Sequence, residues 1–118
     1  MLYSEELLEH YRHPQNFKKL KTPTHQITLQ NPLCGDVIIL YLRAEGDFVL
    51  EASFEGNGCA ISTASASLMT EYFKGKSLKM LRKLDNKSTM KIVGIEVSPG
   101  RLKCLLLPIE AFKKALSK

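Results

Sequence analysis

Long apolar runs are missing from this sequence. The longest uninterrupted one is Val37 to Leu42, six residues, against the roughly 20 that a membrane-spanning helix needs. The opening stretch, MLYSEELLEHYRH, carries acids where a secretion signal would have a cationic start and an apolar core. A cytoplasmic protein with no membrane partner is therefore expected. Dense Lys/Arg runs and aromatic-interleaved basic patches are absent too, although 17 basic and 12 acidic side chains leave a net charge of +5. That excess suits a docking face for an acidic protein, and nucleic acid is not an expected partner. Internal repeats, low-complexity tracts and linkers are also lacking. The 118 residues read as one domain, 1–118, large enough to bury about 65% of its unfolded surface around a single core.

Cysteine is scarce and odd in number. Cys34, Cys59 and Cys104 are the three, which argues against a disulfide framework in a reducing compartment. Isolated cysteines often serve as small hydrophobes, so their context decides.

What is present reads as an α+β fold. Residues 3–12 form an amphipathic helix with Ser4 as cap and Tyr3, Leu7, Leu8 and Tyr11 on one face; His13-Pro14 ends it. Residues 15–26 look irregular and place His25 in a loop. A short strand at 27–31, a stronger one from Asp36 to Ala44, the turn Glu45-Gly46-Asp47 and a third strand over 48–54 predict an antiparallel sheet. From Cys59 the period becomes helical through residue 74, with Gly75 where a C-cap belongs. The small residues from Ala60 to Ser67 allow that helix to approach the sheet closely. Ser77 caps a short helix to about Leu84, residues 85–100 fit either a helical turn or an extended stretch, and 101–116 is helical although Pro108 interrupts the pattern.

Each cysteine sits at an element boundary. Cys34 lies in Asn31-Pro-Leu-Cys-Gly-Asp36, where a tight turn offers a sulfur and the Asp36 carboxylate together. Cys59 follows Gly56-Asn-Gly58 at a strand-to-helix junction, and a helix N-terminus favours thiolate, the form that attacks and ligates. Gly56-x-Gly58 also resembles a dinucleotide fingerprint, but Ile61 stands at the third glycine position and no parallel βαβ unit surrounds it. Cys104 lies in Arg101-Leu-Lys-Cys104, beside two cations. Spacings of 25 and 45 residues fit no finger-type site; they fit loops converging at one end of a small sheet. His10, His13 and His25 read as surface or packing residues, and Lys103 has no lone pair for a metal while it is an ammonium.

These segments together resemble the NifU/IscU-type iron–sulfur cluster assembly scaffolds. The resemblance extends to Tyr3-Ser4-Glu5, His10-Tyr11, Pro14-Gln-Asn16 and Phe73-Lys-Gly-Lys76. It implies a three-stranded antiparallel sheet with helices packed on it. It implies that Cys34, Asp36, Cys59 and Cys104 hold a transient [2Fe–2S] cluster, iron or zinc, with Cys104 or Cys59 taking sulfur. The implied partners are a cysteine desulfurase and apo iron–sulfur proteins, and whether two copies pair as a homodimer around a shared cluster is left open. Where the IscU branch has a histidine before its last cysteine, this chain has Lys103. Val97-Ser-Pro-Gly-Arg101 replaces the Leu-Pro-Pro-Val-Lys motif, which argues against docking of a dedicated Hsp70-type chaperone. Arg-x-Lys-Cys is instead similar to the SufU branch, although the 45-residue spacing leaves little room for that branch's usual insertion. Three readings follow: a non-enzymatic cluster scaffold, a zinc-dependent sulfur acceptor with sulfurtransferase activity, or a small zinc domain used only for binding.

Overall fold

Alternation along the strands sets the sheet. The computed structural model describes residues 5–31, 35–94 and 97–117. Three strands, β1 (His25–Gln30), β2 (Val37–Glu45) and β3 (Phe48–Asn57), form an antiparallel sheet in sequence order. In register, Ile27 faces Leu40, Leu40 faces Phe54 and Leu42 faces Ala52. Directly opposed residues share a face, so Ile27, Ile38, Leu40, Leu42, Ala52 and Phe54 make one apolar surface, and all six are buried.

The helices cover that surface. In chain order they are α1 (Glu5–Arg12), α2 (Ala60–Phe73), α3 (Leu78–Arg82), α4 (Asn86–Val93) and α5 (Leu102–Leu116), with a 3-10 turn at Pro99–Arg101. α2 packs on β3 and α5 on β1 and β2, and the two helices pack on each other. Ile61, Ala64, Met69, Phe73, Leu105, Ile109 and Phe112 are 0–2% exposed, and the rings of Phe73 and Phe112 lie 4.6 Å apart. α1 is tied across α2 by Leu7, which is buried, and by polar contacts from His10, Gln15 and Asn16 to Ser67 and Thr70. No helix among the described residues is long and apolar enough to cross a membrane.

The sheet's second face is only partly covered. Residues 17–24 leave the β3 edge, where the Lys18 N–H donates to the Phe54 carbonyl, and reach β2, where the Thr24 N–H donates to the Leu42 carbonyl. On the way they bury Leu20 and share a cleft with Arg43 and Glu51, register partners on that face. Tyr41 and Ser53 are buried there as well.

Several expectations change. His25 is not in a loop: it is the first residue of β1, paired in register with Leu42, because strand pairing runs two residues further than the hydrophobic pattern. β3 extends beyond residue 54 to Asn57, since ladder hydrogen bonds do not need apolar side chains. The ambiguous stretch 85–100 contains α4, started by Asp85, whose carboxylate accepts from the Ser88 N–H at 2.7 Å. α5 runs unbroken through Pro108. The expected helix start at Tyr3 and Ser4, like Ile95, lies outside the described residues.

Candidate metal centre

Strand register brings the chemistry to one end of the sheet. Val37 pairs with Gln30 on one side and Asn57 on the other. The end of β1, the start of β2 and the end of β3 therefore lie side by side. Asp36 immediately precedes β2, and Cys59 follows β3 by two residues. Two backbone hydrogen bonds hold Asn31 against Gly35 and Asp36: the Asn31 N–H donates to the Asp36 carbonyl and the Gly35 N–H to the Asn31 carbonyl, each at 2.8 Å.

α2 begins at this end, and Cys59 is its N-cap. An N-cap side chain ordinarily accepts a hydrogen bond from the first turn. The Cys59 side chain makes no such bond; its sulfur points into the site. α5 also begins here, and its first turn carries Cys104. The buried Ser65 hydroxyl of α2 donates to the Leu105 carbonyl at 2.6 Å. This bond fixes the first turn of α5 against α2, one residue from Cys104.

The result is a group of three donors. A carboxylate oxygen of Asp36 and the sulfurs of Cys59 and Cys104 all lie within 4.8 Å of one another. Asp36 is 6% exposed and Cys104 2%; Cys59 is partly exposed. Cys34 lies outside the described residues. Among the described residues no histidine joins the group. His10 is hydrogen-bonded to Ser67 at 2.7 Å, and His13 is exposed beyond α1. His25 sits five strand residues from Gln30, about 17 Å at 3.4 Å per residue. Lys103 is exposed beside Cys104.

Two sulfurs and a carboxylate suit zinc or iron. A tetrahedral zinc with Zn–S bonds of about 2.3 Å sets its sulfurs about 3.8 Å apart, which donors within 4.8 Å of one another reach by small side-chain movements. The backbone is shaped for this approach. A Cβ on Gly58 would run into the Ser62 hydroxyl and stand 3.4 Å from the Asp36 carboxyl carbon. The tight contact is with Ser62; the distance to Asp36 is ordinary van der Waals contact. Ser62 and Ser65 stand out in the sequence merely as small residues on a helix that packs closely. A serine three residues after a helix-starting cysteine, at the position where capping residues reach back, was the available signal for Ser62. Nothing local marks Ser65.

The sheet is entirely antiparallel, so Gly56-x-Gly58 does not open a dinucleotide-binding unit.

The profile described as the NifU-like N terminal domain matches residues 2–118. The chain is 34% identical to the zinc-dependent sulfurtransferase SufU of Bacillus subtilis (strain 168), over 99% of this chain and 90% of that protein. It is 31% identical to the iron-sulfur cluster assembly scaffold protein IscU of Escherichia coli (strain K12), over 99% and 93%. The alignment with the B. subtilis protein spans 134 positions against 118 residues here, so that relative has at least 134 − 118 = 16 residues without a counterpart. Among solved structures, a protein of Fervidobacterium islandicum AW-1 described as an iron–sulfur cluster assembly scaffold for the SUF system superposes with a TM-score of 0.81 at 29% identity, covering 97% of this chain and 96% of that one.

Proposed function

Because the chain belongs to the NifU-like N-terminal domain family, we propose that it is an iron–sulfur cluster assembly scaffold. It receives sulfur from a cysteine desulfurase, binds iron and a transient [2Fe–2S] cluster at Cys34, Asp36, Cys59 and Cys104, and passes the cluster to apo-proteins in the cytoplasm. The observation that supports this best is the histidine-free donor group of Asp36, Cys59 and Cys104 within 4.8 Å. Iron–sulfur clusters are usually held by thiolates. One carboxylate among them holds its iron more loosely, which suits a protein that must release its cargo.

Sulfur transfer needs a thiolate on this chain and a persulfide on the partner. The thiolate attacks the terminal sulfur of the persulfide, a new S–S bond forms, and the partner's cysteine leaves as a thiolate. No electrons are lost or gained overall. Reduction of each transferred sulfur to sulfide takes two electrons from a thiol reductant. Cys59 is the more accessible of the two described cysteines, which favours it for first contact with a partner.

A second reading is a zinc-dependent sulfur acceptor. It is supported by Lys103 where the IscU branch has histidine, and by the identity to the B. subtilis sulfurtransferase. Zinc would hold Asp36, Cys59 and Cys104 together, keep the sulfurs deprotonated and yield one of them to the incoming persulfide. A purely structural zinc domain fits less well, because Cys59 is partly exposed and within reach of a partner's persulfide.

One experiment separates these readings. The protein is incubated anaerobically with ferrous iron, cysteine, a cysteine desulfurase and dithiothreitol. Visible absorption bands should develop, and Cys34→Ser, Cys59→Ser and Cys104→Ser should each weaken or abolish them. A colourless protein that carries stoichiometric zinc and stimulates the desulfurase only when zinc is present would select the sulfur-acceptor reading.

A further inference from the structure

The Ser62 hydroxyl is bonded to both the carbonyl and the thiol of Cys59. Its Oγ donates to the Cys59 carbonyl oxygen at 3.2 Å and accepts from Cys59 Sγ at 3.8 Å. Ser62 is 6% exposed, in the first turn of α2. The Thr63 N–H also donates to the Cys59 carbonyl, at 3.1 Å. That carbonyl therefore keeps a partner if the hydroxyl turns away. A sulfur that has given up its proton to bind a metal can only accept, and the Ser62 hydroxyl then needs no more than a rotation about its Cβ–Oγ bond to serve it.

We infer that Ser62 is a positioning residue for Cys59. When the sulfur of Cys59 binds a metal, the Ser62 hydroxyl swings from the carbonyl to donate to Sγ, fixing the sulfur's direction and drawing off part of its charge. Partners one step removed from a metal commonly act on their ligands in this way. Gly58 belongs to the same device, since a Cβ at that position would occupy the space of the Ser62 Oγ. Gly58, Cys59 and Ser62 thus form one unit, in which the glycine vacates the room that the hydroxyl uses to reach the sulfur. This inference rests on the proposed metal or cluster role of Cys59.

Cobalt(II) serves as the probe, because the thiolate-to-cobalt charge-transfer band reports the charge on sulfur. Wild-type protein should bind cobalt(II) and show this band. Ser62→Ala should move the band to longer wavelength and weaken cobalt binding by about 10- to 100-fold, measured in competition with a chromophoric chelator, with the circular dichroism spectrum unchanged. Ser62→Thr keeps the hydroxyl and should track the wild type. Gly58→Ala leaves Ser62 in place but displaces its oxygen, and should shift the band in the same direction as Ser62→Ala. A wild-type band that Ser62→Ala leaves in place overturns the role of Ser62 alone, even if affinity falls, because a structural effect would lower affinity without moving the band. A wild-type protein with no band overturns the metal reading of Cys59 as well.

Discussion

Tyr41 lies away from the main core, on the sheet's second face, yet it is only 2% exposed. Its hydroxyl donates to Glu55 Oε1 at 2.5 Å. That hydrogen bond, then burial, then the Glu55 charge push its pKa up to about 12 from the ordinary 10. The folded protein therefore keeps a proton that the unfolded chain gives up above pH 10. The stability this contributes is complete below pH 10 and is lost as pH rises toward 12. Denaturant unfolding followed by circular dichroism at pH 9, 10, 11 and 12 should show wild-type stability falling over that window, with a shallower fall in Tyr41→Phe. Equal slopes for the two proteins would contradict the account. At the C-terminal end of α2, Lys74 donates to Glu71 and holds its carboxyl below the usual range. That exposed pair adds little to stability.

At the scale of elements, the centre depends on three junctions meeting at one end of the sheet. The β2–β3 ladder closes there with Ile38 opposite Gly56 and Val37 opposite Asn57. Gly56 is packed so tightly that a Cβ would run into the Val37 carbonyl of the neighbouring strand. Gly56→Ala must therefore spread the strands beside Asp36 and Cys59. It should destabilise the fold by about 1–3 kcal/mol, the range for forced overpacking, read from denaturant midpoints, and it should weaken metal binding together with stability. An unchanged midpoint would mean that this end of the ladder is not held as described. The α2–α5 contact works alongside it. Ser65 pins the Leu105 carbonyl, and the Phe73–Phe112 contact closes the far end of α2 on α5, so Cys104 is set by helix packing and not by a loop.

For the whole molecule, the donors come from three separated segments, at Asp36, Cys59 and Cys104. An unfolded chain does not hold them together, so an ion that binds them binds the native state. Zinc at 100 times its dissociation constant would add about 2.7 kcal/mol, which for a domain of this size raises the melting temperature by about 10 °C. Thermal unfolding with and without zinc, followed by addition of a chelator, checks this. The midpoint should rise and then return. An unmoved midpoint at saturating zinc would remove the site from the native structure.

Much of this was written in the chain itself. The β2 strand, the small-residue helix after Cys59, the Ser77 cap and the last helix follow from near-neighbour chemistry, because hydrophobic period, capping and turn residues act over a few positions. The cysteines were likewise marked by adjoining glycines and cations. Asp85 could have been read as the cap of α4, and was obscured by a stretch whose period suited both helix and strand. The distances were not written there. That Asp36, Cys59 and Cys104 converge while His25 stands at the far end of its strand depends on strand register and on how α2 and α5 cross. The role of Ser65 depends on the same contacts, whereas Gly58, Cys59 and Ser62 meet within one turn of chain. Interactions between residues distant in the chain leave no local pattern, because the free energy that brings them together belongs to the packed core as a whole.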